Sequence, residues 1–178
     1  MKKLLIISAS PRINSNSEAL AKAFAKGAEE AGHETELISL RGKTVNFCRG
    51  CFVCQEKLRC VIRDDADIIC RKALDADVLV FATPIYYYEM SGILKTLLDR
   101  ANPLYPSDYR FREVYTLAAA AEDEEHVPEK AFSGIEGWVE CFEKAKLVGT
   151  LFCGGVTAVG EIKDNPKLKE AYDMGRKI

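Results

Sequence analysis

KLLIISASPRINSNSEAL, residues 3–20, decides the fold. Its opening run, Lys3 to Ser8, is continuously apolar after the lysine, which is the pattern of a strand buried on both faces. A polar loop, ASPRINSN, follows. From Ser17 to Ala31 the apolar residues Leu20, Ala21, Phe24, Ala28 and Ala31 fall at helical spacing. Asn16 or Ser17 can cap that helix, and Gly32 stands where it would stop. A buried strand, a polar loop and an amphipathic helix, in that order, begin an α/β fold.

The pattern repeats along the chain. ETELISL (34–40), DVLVFA (77–82), VYTLAAA (114–120) and LVGTLFC (147–153) read as four further strands. Helices are expected over Asp64–Leu74, Ser91–Ala101, Ala131–Lys146 and Pro166–Arg176, the last with proline at a permitted first-turn position. Asp64 or Asp65 suits the start of its helix, where an acid favours the dipole. Five strands alternating with helices imply a parallel sheet covered on both faces. The 178 residues suit one domain, residues 1–178, with no repeat and no linker.

Composition narrows the function. The formal net charge is -2, whereas a nucleic-acid surface normally needs a basic domain. The apolar run Leu4–Ile7 is too short for a signal peptide, and no stretch approaches the ~18 apolar residues of a membrane helix. The expectation is a cytoplasmic chain with no nucleic-acid and no membrane partner. There, seven cysteines suit thiols or metal ligands better than disulfides.

In an open parallel sheet, ligands bind beyond the carboxyl ends of the strands. The loop after the first strand lies there and runs into a helix N-terminus, which offers free N–H groups to an anion. It adds hydroxyls at Ser10, Ser15 and Ser17, amides at Asn14 and Asn16, and the guanidinium of Arg12. Neutral donors around one cation suit a monophosphate. Neither G-x-x-x-x-G-K-[ST] nor G-x-G-x-x-G occurs, so the triphosphate and dinucleotide fingerprints are both missing. A mononucleotide held by side chains fits better. The loop after the third strand, TPIYYYEMSG, should lie beside it. There Pro84 stiffens the turn, and Tyr86, Tyr87 and Tyr88 offer flat faces to a planar ring or to the core or a subunit contact.

Four cysteines form a second constellation: CRGCFVCQEKLRC places Cys48, Cys51, Cys54 and Cys60 in a C-x2-C-x2-C-x5-C ladder. The spacing resembles the ferredoxin run that wraps a cubane cluster. Zinc fits less well, because structural sites usually pair two C-x2-C knuckles across a longer gap. Cys70, Cys141 and Cys153 are expected in the core. His33 and His126 lack metal-ligand partners and are expected at the surface. The run Glu122–Glu125 reads as a solvated loop. No Ser-His-Asp or Cys-His pattern supports hydrolysis.

SASPRINSNSEAL (8–20), TPIYYYEMSGILKTLLDR (83–100) and the cysteine ladder followed by CVIRDDAD together resemble the NAD(P)H-dependent FMN reductase and iron–sulfur flavoprotein family of the flavodoxin-like superfamily. That resemblance implies a flavodoxin-like three-layer sandwich with a five-stranded parallel sheet in the order 2-1-3-4-5. It implies FMN, its phosphate held by Ser10, Arg12, Asn16 and Ser17, with Pro84, Ile85, Tyr86 and Tyr87 lining the isoalloxazine. Ala118–Ala121 and the acidic run depart from the Ser/Thr and glycines that the family commonly places after the fourth strand. The expected activity is passage of electrons from NADPH or NADH through FMN to a quinone, flavin or nitro compound, with no essential protein acid or base. Two alternatives stand beside it. One is an electron carrier with a [4Fe–4S] cluster on the ladder, serving a redox protein. The other is a non-enzymatic redox-sensing module. The ladder could equally form a subunit contact, its thiols acting as small apolar groups. A homodimer or homotetramer is implied.

Overall fold

A computed structural model describes residues 1–178. Strands β1 (Lys3–Ser8), β2 (Glu34–Ser39), β3 (Val78–Tyr86), β5 (Glu113–Ala119) and β6 (Lys146–Cys153) are parallel, in the spatial order β2-β1-β3-β5-β6. A two-residue strand, β4 (Glu89–Met90), pairs antiparallel with the end of β3. Setting β4 aside, the parallel order is the flavodoxin-like one expected from the sequence.

The apolar runs are strands because the sheet is covered on both faces. Leu4 and Ile6 point into a cluster under helices α1 (Asn16–Glu30) and α6 (Pro166–Arg176). Leu5 and Ile7 point the opposite way, toward α3 (Asp65–Asp75), α4 (Gly92–Arg100) and α5 (Glu129–Glu140). That alternation is the strand period of two, with neither face left to water. An aromatic group of Phe81, Phe111, Trp138 and Phe142 fills the α5 side. Helices α1 and α6 approach closely, and a Cβ at Gly175 would overlap the carbonyl of Phe24.

Three boundaries differ from the sequence reading. Strand β3 continues past Ala82, because Thr83 and Pro84 keep register with Ala118 and Ala119. It then forms a hairpin, Ile85 opposite Met90 and Tyr86 opposite Glu89, through Tyr87 and Tyr88 at φ 52° and 68°. Two positive φ values match a primed turn, which follows the twist of the paired strands. Helix α5 stops at Glu140 rather than near Lys146. Phe142 then turns into the aromatic core, with its N–H donating to the Val139 carbonyl. The cysteine segment holds a short helix, α2 (Val53–Lys57). No helix is long and apolar enough to cross a membrane.

Candidate functional sites

The carboxyl ends of β1, β3, β5 and β6 meet around a cleft of about 170 Å³. Its walls bring together Ser10, Arg12, Ser15, Asn16 and Ser17 from the first loop and Pro84, Ile85 and Tyr86 from the β3–β4 hairpin. Asn14 and Tyr87 are not in these walls. Asn14 is exposed at φ 52°, and the Tyr87 side chain points wholly to solvent. Tyr88 stacks on His126 at a ring separation of 5.9 Å, and the Lys130 ammonium lies 5.5 Å from the Tyr88 ring centroid.

The first loop has the chemistry of an anion cradle. Ser15 caps α1, its hydroxyl accepting from the Glu18 N–H at 3.2 Å. The N–H groups of Asn16 and Ser17, ahead of the first helical bond, have no partner inside the helix. The Ser17 hydroxyl is buried and unpaired. A buried hydroxyl without a partner costs about 1–3 kcal/mol, so its persistence here fits a ligand oxygen. Arg12 donates to the Thr157 carbonyl at 2.7 Å, which brings its guanidinium over the cleft. Asn16 is engaged elsewhere: its amide donates to the Ala158 carbonyl at 3.0 Å and its oxygen accepts from the Ile162 N–H at 3.2 Å. The donor set therefore fits a phosphate monoester, with Asn16 shaping the site by tying in the loop after β6.

That loop is what sequence reading missed. Val156, Thr157 and Val159 form a wall of the cleft with Ala119, Ala120, Ala121 and Glu122. Glu161 fixes its turn by accepting from the Thr157 and Ala158 N–H groups at 2.6 and 2.8 Å, and those bonds lower its pKa. The available signal was topological, since the loop leaves the carboxyl end of a sheet strand. Glu122–Glu125 is exposed as expected, and its Glu122 carbonyl accepts from the Gly155 N–H.

The cysteine ladder builds a separate cavity of about 700 Å³ between α2, the end of α4 and the end of α5. Cys48, Cys51, Cys54 and Cys60 all line it. So does Cys141, which the sequence placed in the core but which is exposed where α5 ends. Cys70 and Cys153 are buried as expected, and burial pushes the Cys70 thiol up to about 12. The Asn102 amide donates to the Cys54 sulfur at 3.1 Å. The soft thiols and this N–H···S bond suit an iron–sulfur centre. In this arrangement no three His, Cys, Asp or Glu side chains gather at metal-ligand spacing.

Arg100 holds the base of this segment. Its guanidinium is buried and pairs with both carboxylate oxygens of Asp64, at 2.8 and 2.9 Å. It also donates to the Asn46 carbonyl at 2.7 Å and the Ile62 carbonyl at 3.1 Å, one on each side of the ladder. Asp64 in turn accepts from the Asn46 N–H at 2.9 Å. Burial alone would raise the Asp64 carboxyl, but the hydrogen bonds from Arg100 and Asn46 outweigh it and hold it well below the usual carboxylate range.

Residues 2–126 match the family model of NADPH-dependent FMN reductases. An iron-sulfur flavoprotein of Methanocaldococcus jannaschii is 41% identical over 102 residues, covering 57% of this chain and 53% of the relative. One from Methanosarcina thermophila is 28% identical over 97% of this chain and 87% of its own length. For its first-ranking curated relatives, the matched part of the chain spans about half of their length. Among solved structures, an NAD(P)H:quinone oxidoreductase from Methanothermobacter marburgensis superposes with a TM-score of 0.80 at 21% identity, over 99% of this chain and 95% of that one. An azoreductase from Bacillus anthracis gives 0.74 at 17% identity over the full length of both. At such identities the structural likeness speaks for the fold. The match over residues 2–126 goes further: the chain belongs to the NADPH-dependent FMN reductase family.

Proposed function

We propose that this chain is an oxidoreductase that binds FMN noncovalently and uses NADPH to reduce a small acceptor such as a quinone, a flavin or a nitro compound. The observation that carries the reading is the buried, unpaired Ser17 hydroxyl at the N-terminus of a 15-residue helix, facing the cleft where the strand ends meet. Bound FMN would supply the redox chemistry, taking a hydride, two electrons with one proton, from a nicotinamide and passing electrons on. The residues of the chain bind, orient and shield. Ser10, Ser15 and Ser17, with the Asn16 and Ser17 N–H groups, receive the phosphate, and Arg12 neutralises it. Pro84, Ile85 and Tyr86 present one edge for the ring. Val156 and Val159 keep water from the opposite wall. No side chain need act as acid or base.

A second reading is favoured by one observation: four thiols line a single cavity, and several relatives are named iron-sulfur flavoproteins. In that reading the ladder carries a cluster and the acceptor is a redox protein. A homodimer or homotetramer suits the exposed Tyr87, Phe47 and Phe52 side chains. Steady-state NADPH oxidation with an added quinone tests the enzymatic reading. Arg12→Ala should weaken FMN binding roughly ten- to hundredfold, the worth of a charge-assisted hydrogen bond. Unchanged FMN affinity would remove the phosphate assignment. Iron and sulfide near four each per chain, in protein purified without oxygen, would support the cluster; neither element beside full flavin would exclude it.

A further inference from the structure

A third cleft, of about 340 Å³, adjoins the candidate flavin cleft and shares Ser10 and Tyr86 with it. We propose that this cleft takes the 2′-phosphate of NADPH, with Arg41 and Lys43 as the residues that favour NADPH over NADH. The proposal rests on the reductase reading above and names the nucleotide subsite within it.

Its walls come from three segments that meet at the ligand edge of the sheet. Arg41 and Lys43 follow β2, Ser10 belongs to the first loop, and Gly92 and Ile93 open α4. No carboxylate lines it. Arg41 and Lys43 are both partly exposed, with side-chain exposures of 36% and 41%. Each has an acidic neighbour that is already committed. Glu18 lies 3.4 Å from Arg41 but 2.9 Å from Lys22. Asp65 lies 3.3 Å from Lys43, while its other oxygen accepts from the Thr44 N–H at 2.8 Å. Both cations therefore keep donors for an incoming anion. Arg41 also donates to the Arg12 carbonyl at 3.2 Å, which fixes it beside the phosphate loop.

The third wall adds neutral donors. Ser91 stands at the N-cap of α4, yet its hydroxyl donates to the Ala9 carbonyl at 3.0 Å and caps nothing. The first N–H groups of this nine-residue helix are thus left for a ligand, at its positive dipole end. Two cations, each sharing its carboxylate neighbour with another donor, uncapped helix N–H groups and a lining without carboxylates suit a phosphate dianion. Contact with the flavin cleft through Tyr86 and Ser10 makes it part of a molecule whose other end lies over the flavin. A pyridine dinucleotide phosphate has that form, whereas NADH would leave the cleft to water.

The test uses the FMN-loaded protein and the variants Arg41→Ala, Lys43→Ala and the double variant. The selectivity, kcat/KM for NADPH over that for NADH, should fall roughly tenfold for each charge removed, through KM for NADPH. Calorimetric binding of adenosine 2′,5′-bisphosphate, set against 5′-AMP, provides a readout free of turnover. The bisphosphate should bind more tightly to the unaltered protein, and the double variant should lose that advantage. Unchanged selectivity, or equal binding of the two nucleotides, overturns the proposal while leaving the reductase reading intact. Inorganic phosphate binding as tightly as the bisphosphate would make the cleft a general phosphate site and overturns it too. If neither NADPH nor NADH is oxidised by the unaltered protein, the reductase reading falls, and the subsite with it.

Discussion

Removing the Asp64 charge should show how the cysteine segment is held. Asp64→Asn keeps a side-chain acceptor for the N-cap of α3, where Asp64 receives the Asp67 N–H, and so removes mainly the charge. Arg100 then becomes a buried cation without its anion; the side-chain exposures of the pair are only 1% and 4%. Breaking a buried ion pair from one side costs about 3–5 kcal/mol. In a chain of this size that corresponds to a fall in Tm of about 6–20 °C. Arg100→Met should cost a similar amount, because the Asn46 and Ile62 carbonyls lose their donor as well. The double variant should lose less than the sum of the two, with a coupling of at least ~1 kcal/mol. Urea unfolding of the four proteins, read as midpoint shifts at constant slope, supplies these values. The linkage to pH has a fixed sign. The folded pKa of Asp64 lies below its unfolded value, so the stabilisation is complete above the unfolded pKa, ~4, and is lost as pH falls below it. Asp67, lowered chiefly by its hydrogen bond from Arg59, and Asp77 shift in the same direction. Asp64→Asn should therefore flatten the acid limb of the stability profile. A loss below 1 kcal/mol, or an unaltered acid limb, would refute the assignment of Arg100 and Asp64 as the clasp of the ladder.

Other perturbations separate ligand binding from folding. Ser17→Ala removes a buried hydroxyl that has no partner, so stability of the FMN-free protein should hold or rise slightly while FMN affinity falls about tenfold; fluorescence titration and thermal unfolding read the two effects. Gly175→Ala forces a methyl onto the Phe24 carbonyl between α1 and α6 and should cost about 1–3 kcal/mol or more, seen as a lower urea midpoint. Tyr87→Asn places a residue tolerant of positive φ in the exposed hairpin turn and should raise the Tm of the monomer by a few degrees; a fall in the assembled protein would place the Tyr87 ring in the subunit contact.

The strands were legible because burial on both faces leaves near-continuous apolar runs. KLLIIS shows this plainly, with every residue after Lys3 buried. The extension of β3 was not legible, since Pro84 reads as a breaker, yet it sits beside Ala119 at the end of the ladder, where its missing N–H costs little. The anion cradle was legible in part. Hydroxyls before a helix point to a phosphate, but local sequence does not reveal that Asn16 reaches 142 residues along the chain to Ala158. Nor does it reveal the Asp64–Arg100 pair, whose members lie 36 residues apart. Cys141 misled because it ends a helix with an apolar face; the chain turns there, and Phe142 takes the buried position instead.

If the cleft of Ser10–Ser17 and Pro84–Tyr86 holds FMN as proposed, NADPH reduces that flavin directly. Anaerobic titration of the FMN-loaded protein with NADPH, followed by the visible absorbance of the flavin, tests it most directly. Complete bleaching is expected near one equivalent of NADPH per bound flavin, and recovery of the colour when a quinone is added. Protein that retains no FMN, or bound flavin that stays oxidised in excess NADPH, would contradict it.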